Sequence, residues 1–171
     1  MRDSIHKYFR VGTLQWMSFN QSPPIESLQI IGSDDFFDSV EVKGYDTKEE
    51  RDQAKAILSQ SHLSICYGAQ PRLLAGHLNP NALVEEERKQ AEAALLDALD
   101  EAEYLGAEGI AFLAGHWNPE TKEQTYQQLL KTTRTLCDAA ASKDMMVELE
   151  IFDYDVDKAT LIGPAPYAAR F

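Results

Sequence analysis

The sequence contains no run approaching the roughly 18 consecutive apolar residues that a membrane helix needs, so no membrane span is expected. Its opening segment, Met1 to Lys7, has neither an apolar stretch nor a small-residue cleavage site behind its charges, so no secretory leader is expected. Cations are scarce: 16 Lys and Arg against 28 Asp and Glu give a formal net charge of -12. A surface of that sign repels polyphosphate and anionic lipid, so neither nucleic acid nor a membrane is an expected partner. Only two cysteines occur. Cys66 and Cys137 stand far apart in segments that read as buried, which implies free thiols in a reducing, cytoplasmic compartment rather than a disulfide scaffold.

Motifs are missing too. No GxGxxG or GxxxxGKS/T follows a strand, which argues against a dinucleotide or nucleoside triphosphate cradle. There is no Gly-x-Ser-x-Gly nucleophile elbow, and Cys66 has no CxxC partner or basic neighbour, so it reads as an inert core thiol. His6, His62 and His77 show no HxH or HxxxE spacing; any metal site has to be assembled from several strands.

What remains is an ordinary globular chain of 171 residues, 44% apolar and 26% charged, enough for one core. Its apolar pattern alternates between the two periods of secondary structure. Strands are expected at Phe9–Phe19, Asp38–Gly44, His62–Gly68, Gly109–Gly115 and Met145–Phe152. Helices are expected at Ile25–Ile31, after the Thr47-Lys-Glu-Glu50 capping form, over Ala82–Leu105, and from Pro119 to about Ser142. The stretch from Gly68 to Ala82, with Pro71 and Pro80, reads as a long loop, and Ala165–Phe171 as the opening turns of a further helix.

Five β/α units imply parallel strands joined by right-handed crossovers. Two architectures accept them: a flavodoxin-like five-stranded doubly wound sheet, or part of a (β/α)8 barrel, whose complete form takes about 250 residues. Strand order separates the two.

In either fold, function collects at the carboxyl ends of the strands. The polar residues there are Gln15, Asn20, Glu41, Lys43, Tyr67, Gln70, His116, Glu148, Glu150, Asp153 and Asp155. Glu148 and Glu150 share one face of an otherwise apolar strand. Such a pair calls for a metal ion, a cation or a shared proton, unless that face is open to solvent. His116, directly after the fourth strand, is either an acid, base or ligand, or a solvated turn residue. The acidic run Glu85 to Glu87 reads as a solvated first helical turn.

Several segments taken together resemble one family. They are Val11-Gly-Thr-Leu-Gln-Trp-Met-Ser-Phe19, Tyr67-Gly-Ala-Gln-Pro71, Phe112-Leu-Ala-Gly115 and, most specifically, Leu149-Glu-Ile-Phe-Asp-Tyr-Asp-Val-Asp-Lys-Ala-Thr-Leu-Ile-Gly-Pro164. From about Phe9 onward the chain resembles the xylose isomerase-like TIM-barrel family of sugar phosphate isomerases and epimerases. The resemblance implies a partial (β/α)8 barrel of about five units, with the remaining strands beyond Phe171, in one domain spanning residues 1–171. It implies a divalent metal (manganese, magnesium or cobalt) with Glu150 as ligand and as the group exchanging a proton beside a sugar carbonyl. Glu148 is the neighbouring fallback. Gln70, His116 and Lys158 are implied substrate contacts, Lys158 toward a phosphate or carboxylate. Tyr67 and Gln70 stand where the endonuclease branch of the superfamily carries a zinc-binding His, which with the acidic charge argues against DNA repair. The expected partner is a small sugar; by itself such a chain is expected to bind metal weakly, turn over little, and self-associate through its edge strands. A non-catalytic small-ligand module and a non-catalytic relic serving oligomer assembly are the competing readings.

Overall fold

The computed structural model describes residues 4–171; Met1, Arg2 and Asp3 of the opening segment lie outside the described residues. Five strands form one fully parallel sheet: β1 (Gly12–Leu14), β2 (Ser39–Val42), β3 (Ser64–Gly68), β4 (Gly109–Leu113) and β5 (Met146–Glu150). Their order across the sheet is β1-β2-β3-β4-β5. A doubly wound sheet of the flavodoxin type would place β2 outside β1. The sequential order is that of a barrel wall, and the flavodoxin alternative is excluded.

Helices α1 (Gln15–Ser18), α2 (Pro24–Gly32), α3 (Lys48–Gln60), α4 (Gln70–Ala75), α5 (Glu85–Leu105), α6 (Lys122–Ala141) and α7 (Ala165–Ala168) connect the strands. Along the outside, α2 packs on α3, α3 on α5 and α5 on α6. The strand side chains that face this layer are Val40, Val42, Ile65, Tyr67, Ile110 and Phe112, all buried, against Leu28, Ile31, Ala54, Leu58, Leu95, Leu99 and Leu129. The alternate residues Ser39, Glu41, Cys66, Ala111, Glu148 and Glu150 face the other way and are partly or fully exposed. One face of the sheet therefore carries the core and the other is an open surface lined by small and acidic groups.

Local chemistry sets the boundaries. Thr47 caps α3 with the expected reciprocal pair: its hydroxyl accepts from the Glu50 N–H at 3.1 Å while the Glu50 carboxylate accepts from the Thr47 N–H at 3.3 Å. Helix α5 ends at Gly106, whose φ of 83° is left-handed. The Gly106 and Ala107 amides then return to the carbonyls of Glu103 and Ala102, closing a Schellman turn that feeds the chain into β4.

Three expectations need correction. The first strand is three residues long rather than eleven, because the chain turns into α1 at Gln15, whose side chain is drawn inward to α2. The stretch read as a long loop after β3 contains α4, with Pro71 placed in its first turn, where its missing N–H costs no hydrogen bond. Cys66 and Cys137 are free but exposed rather than buried. Cys66 lies on the open face of β3, and Cys137 on the outer side of α6 beside Asp138.

Candidate functional site at the carboxyl edge of the sheet

β3 and β5 deliver the central pair. Glu150, at the last position of β5, accepts a 2.5 Å hydrogen bond from the amide nitrogen of Gln70, the first residue of α4. The two are 80 residues apart in sequence, joined by a parallel register that pairs Leu113 with Glu150 and Gly68 with Ala111. Gln70 is only 6% exposed, whereas Glu150 and Glu148 stand on the open side of the sheet.

Glu41 of β2 completes the group. It is half-buried, and loss of hydration, followed by the charges of Glu150 and Glu148, raises its carboxyl from 4.5 to about 7. The charges of Glu148 and Glu150 on β5 therefore reach Glu41 on β2 across the open face of the sheet. Oε1 of Glu41 and Oε1 of Gln70 are both buried without a hydrogen-bond partner among the described residues. Gly68 lies between them.

His116 and Lys158 meet elsewhere. Both line a cavity of about 130 Å³ after β4, with Leu73, His77, Leu113 and Thr160 around it. The loop after β5 is bent back there by Asp153, whose carboxylate accepts the amides of Val156, Asp157, Lys158 and Ala159 and is thereby held down at about 2. An isolated bridge pairs His116 with Thr160. The His116 carbonyl accepts from Asn81 at 2.7 Å, while the Lys158 ammonium rests on Asp157. Sequence separation hid the neighbourhood of His116 and Lys158; the backbone-bonded Asp153 creates it.

Other polar residues at this edge are spoken for. Gln15, 4% exposed, donates to Ser27 and the Pro24 carbonyl and accepts from the Tyr45 hydroxyl, so it is a strut between β1 and α2. Tyr67 points into the helix layer and donates to Glu101 at 2.9 Å. Lys43 lines a separate cavity of about 190 Å³ with Trp16, Phe19, Asn20 and Asp46. The Cys66 thiol is pushed up by burial and by the carboxylates of Glu41, Glu148 and Glu108, which disfavours it as a nucleophile despite its exposure.

The donor set tests a metal directly. Among the described residues no three His, Cys, Asp or Glu side chains come together in a metal-holding cluster. Glu150 alone does not retain a divalent ion, because hard cations of this class take several oxygen ligands.

Comparison places this architecture among known proteins. The family model described as xylose isomerase-like TIM barrel matches residues 31–159. A D-tagatose 3-epimerase-like protein superposes with a TM-score of 0.70 at 17% identity, over 84% of this chain and 53% of that one. An AP endonuclease, family 2, from Brucella melitensis gives 0.73 at 17% identity over 90% and 60%. The IOLI protein, whose structure is described with a binding zinc atom, gives 0.66 at 13% over 82% and 51%. The chain thus spans between half and three-fifths of the length of these structures, and at such identities the likeness is one of fold. A search of curated proteins finds no match.

Proposed function

The chain belongs to the xylose isomerase-like TIM-barrel family, and from that premise we propose that it forms part of a metal-dependent sugar or sugar-phosphate isomerase or epimerase, working by proton or hydride shift next to a carbonyl. The observation that carries this reading is Glu150, a carboxylate at the end of β5 held by the Gln70 amide on the open carboxyl edge. Endonucleases share the fold, but three carboxylates on the open face and a net charge of -12 repel a phosphodiester backbone.

In this reading Glu150 exchanges the proton on the carbon beside the substrate carbonyl. Gln70 restrains its carboxylate to one rotamer, so the base is positioned before substrate arrives. Lys158 and His116, in the cavity after β4, are the further substrate contacts of this reading, the ammonium exchanging its Asp157 partner for a substrate phosphate or carboxylate. Glu150 would be the ligand this chain contributes to a manganese, magnesium or cobalt ion, and such an ion would polarise the carbonyl and neighbouring hydroxyl. Taken by itself, the chain leaves the outer backbone groups of β1 and β5 without a strand partner among the described residues, and those edges are where it would self-associate. Free thiols accord with a reducing cytoplasm.

The test is proton exchange. The full-length gene product is incubated in D2O with D-tagatose and manganese, and deuterium incorporation beside the carbonyl is followed by NMR. Exchange is expected in the wild type, with a loss of about 100-fold or more in Glu150→Gln, the range for removal of a general base. Undiminished exchange in that variant removes Glu150 from the mechanism. No exchange across a panel of ketoses and ketose phosphates leaves the non-catalytic reading.

A further inference from the structure

The cavity of about 130 Å³ after β4 differs from the others in its charge. His77, His116 and Lys158 are its titratable residues, and no Asp or Glu is among the described residues that line it. In a chain of net charge -12 that is a selective exclusion, since four further cavities each have at least one carboxylate in their walls. The rest of the wall is largely apolar, with Leu73, Leu78 and Leu113.

The basic side chains come from three loops, two of them with strained backbone. His77 closes α4 in a Schellman turn: its amide donates to the Leu74 carbonyl at 3.2 Å, and that of Leu78 to the Leu73 carbonyl at 2.9 Å. Glycine is the usual residue at this left-handed position, yet His77 holds a φ of 50° with a Cβ. Lys158 precedes Ala159, at a φ of 44°, in the turn gathered by the Asp153 carboxylate. Among the described residues only three non-glycines have left-handed backbone, so two of the three fall at this cavity. Strain of this kind collects where a side chain has to be presented. The bridge between His116 and Thr160 joins the remaining loop to that of Lys158. The Lys158 ammonium is paired with Asp157, which is 75% exposed; an ion pair so open to water is weak and yields to a better partner.

We propose that this cavity binds the carboxylate of a sugar acid, with Lys158 as its counter-ion and His77 and His116 as imidazole donors. One fixed cation matches one negative charge. A phosphate monoester carries about 1.5 to 2 charges at pH 7 and would set the excess against leucine side chains. The place suits the far end of a substrate, because Leu113 in the wall is the register partner of Glu150 and Leu73 lies three residues after Gln70. As one end of a substrate whose other end meets Glu150, the assignment rests on the isomerase reading, but its occupancy is measured without turnover.

The measurement is an NMR titration of the metal-free full-length product with D-glucuronate, D-glucose and D-glucose 6-phosphate, which differ only at C6. The imidazole C–H signals of His77 and His116 are followed. Saturable shifts of both are expected with D-glucuronate, at an affinity about tenfold or more above that for D-glucose, the effect of one charged hydrogen bond. Lys158→Met removes that preference. His77→Gly, followed at His116, weakens D-glucuronate binding several-fold while raising the melting temperature, because glycine takes the left-handed conformation freely. Loss of affinity with gain of stability is the opposite of general damage. Equal affinity for D-glucuronate and D-glucose, or a preference undiminished in Lys158→Met, overturns the site. Tighter binding of D-glucose 6-phosphate overturns the carboxylate assignment. Deuterium exchange on a neutral ketose without any preference for D-glucuronate removes only the site, whereas a preference that needs Lys158, with no exchange on any ketose, removes only the isomerase.

Discussion

Glu101 offers the sharpest test of how the helix layer supports the carboxyl edge. Its side chain, on α5, is 4% exposed yet ionic. One oxygen accepts from the Tyr45 amide and from Arg51 Nε, both at 3.0 Å; the other accepts from the Tyr67 hydroxyl at 2.9 Å and from Arg72 at 2.5 Å. One carboxylate therefore ties α3, α4, β3 and the chain leaving β2 to α5. In Glu101→Gln the shape is kept, but the charge is lost and one acceptor becomes a donor aimed at other donors. Breaking a buried ion pair from one side costs about 3–5 kcal/mol. Arg51 and Arg72 are 38% and 32% exposed and regain some hydration, which places the expected loss near the lower end, about 3 kcal/mol. For a chain of this size that is a fall of roughly 6–12 °C in melting temperature. Arg72 stands two residues from Gln70 on α4, so the substitution should also broaden the Gln70 side-chain amide signals. Differential scanning calorimetry and the amide spectrum check both effects. A destabilisation below about 1 kcal/mol, with Gln70 signals unchanged, refutes the account of Glu101 as the hub.

Glu41 gives a pH dependence of definite sign. Its carboxyl rises from 4.5 to about 7 on folding, so between those values the native state holds a proton that the unfolded chain has released. Stability from this group is fully present below pH 4.5 and is lost as pH rises through 7; allowing for solvent screening of a half-buried side chain, the loss is about 1–2 kcal/mol. Denaturation of metal-free protein at pH 5 and pH 8 should show that difference, and Glu41→Gln should abolish it; an identical pH response in the variant contradicts the assignment. In a Cys137→Ser background, Cys66 should alkylate with iodoacetamide at pH 8 several-fold slower than free cysteine although it is exposed, since its thiol is held up by burial and by Glu41 and Glu148. Equal rates would mean those carboxylates do not reach it. Thr47→Ala removes one half of the α3 capping box and should cost about 1 kcal/mol by urea denaturation, with the slope unchanged.

The parts of this fold that were legible in the sequence are those written in local periodicity. β2, β3 and β5 alternate inward and outward side chains, the Thr47 box opens α3, and the five-unit alternation implies parallel strands. Strand one misled because Phe9 to Phe19 is rich in residues that suit strands, whereas its end is dictated by a tertiary contact, Gln15 reaching Ser27 and Tyr45. The cysteines misled for a related reason. Cys66 alternates with buried Ile65 and Tyr67, so in a sheet covered on both faces it would be interior; here the second face is open.

The same geometry explains why Glu150 stood out beforehand while Glu41 was one polar residue among several. A carboxylate inside an apolar strand, embedded in a long specific segment, announces itself by contrast. Glu41, between Val40 and Val42, shows the same contrast over a shorter stretch, and its alternation equally fits a half-solvated strand. Its meaning comes from Gly68 and Gln70, and their proximity follows from β2 and β3 being neighbours in register, with Glu41 opposite Cys66, two residues before Gly68. A glycine closing a parallel strand has no signal of its own. It becomes informative only when the acidic residue on the adjacent strand and the amide that opens the next helix are seen to occupy the position its side chain would take. Glu150 is thus legible in one segment, whereas the surroundings of Glu41 are a property of the sheet.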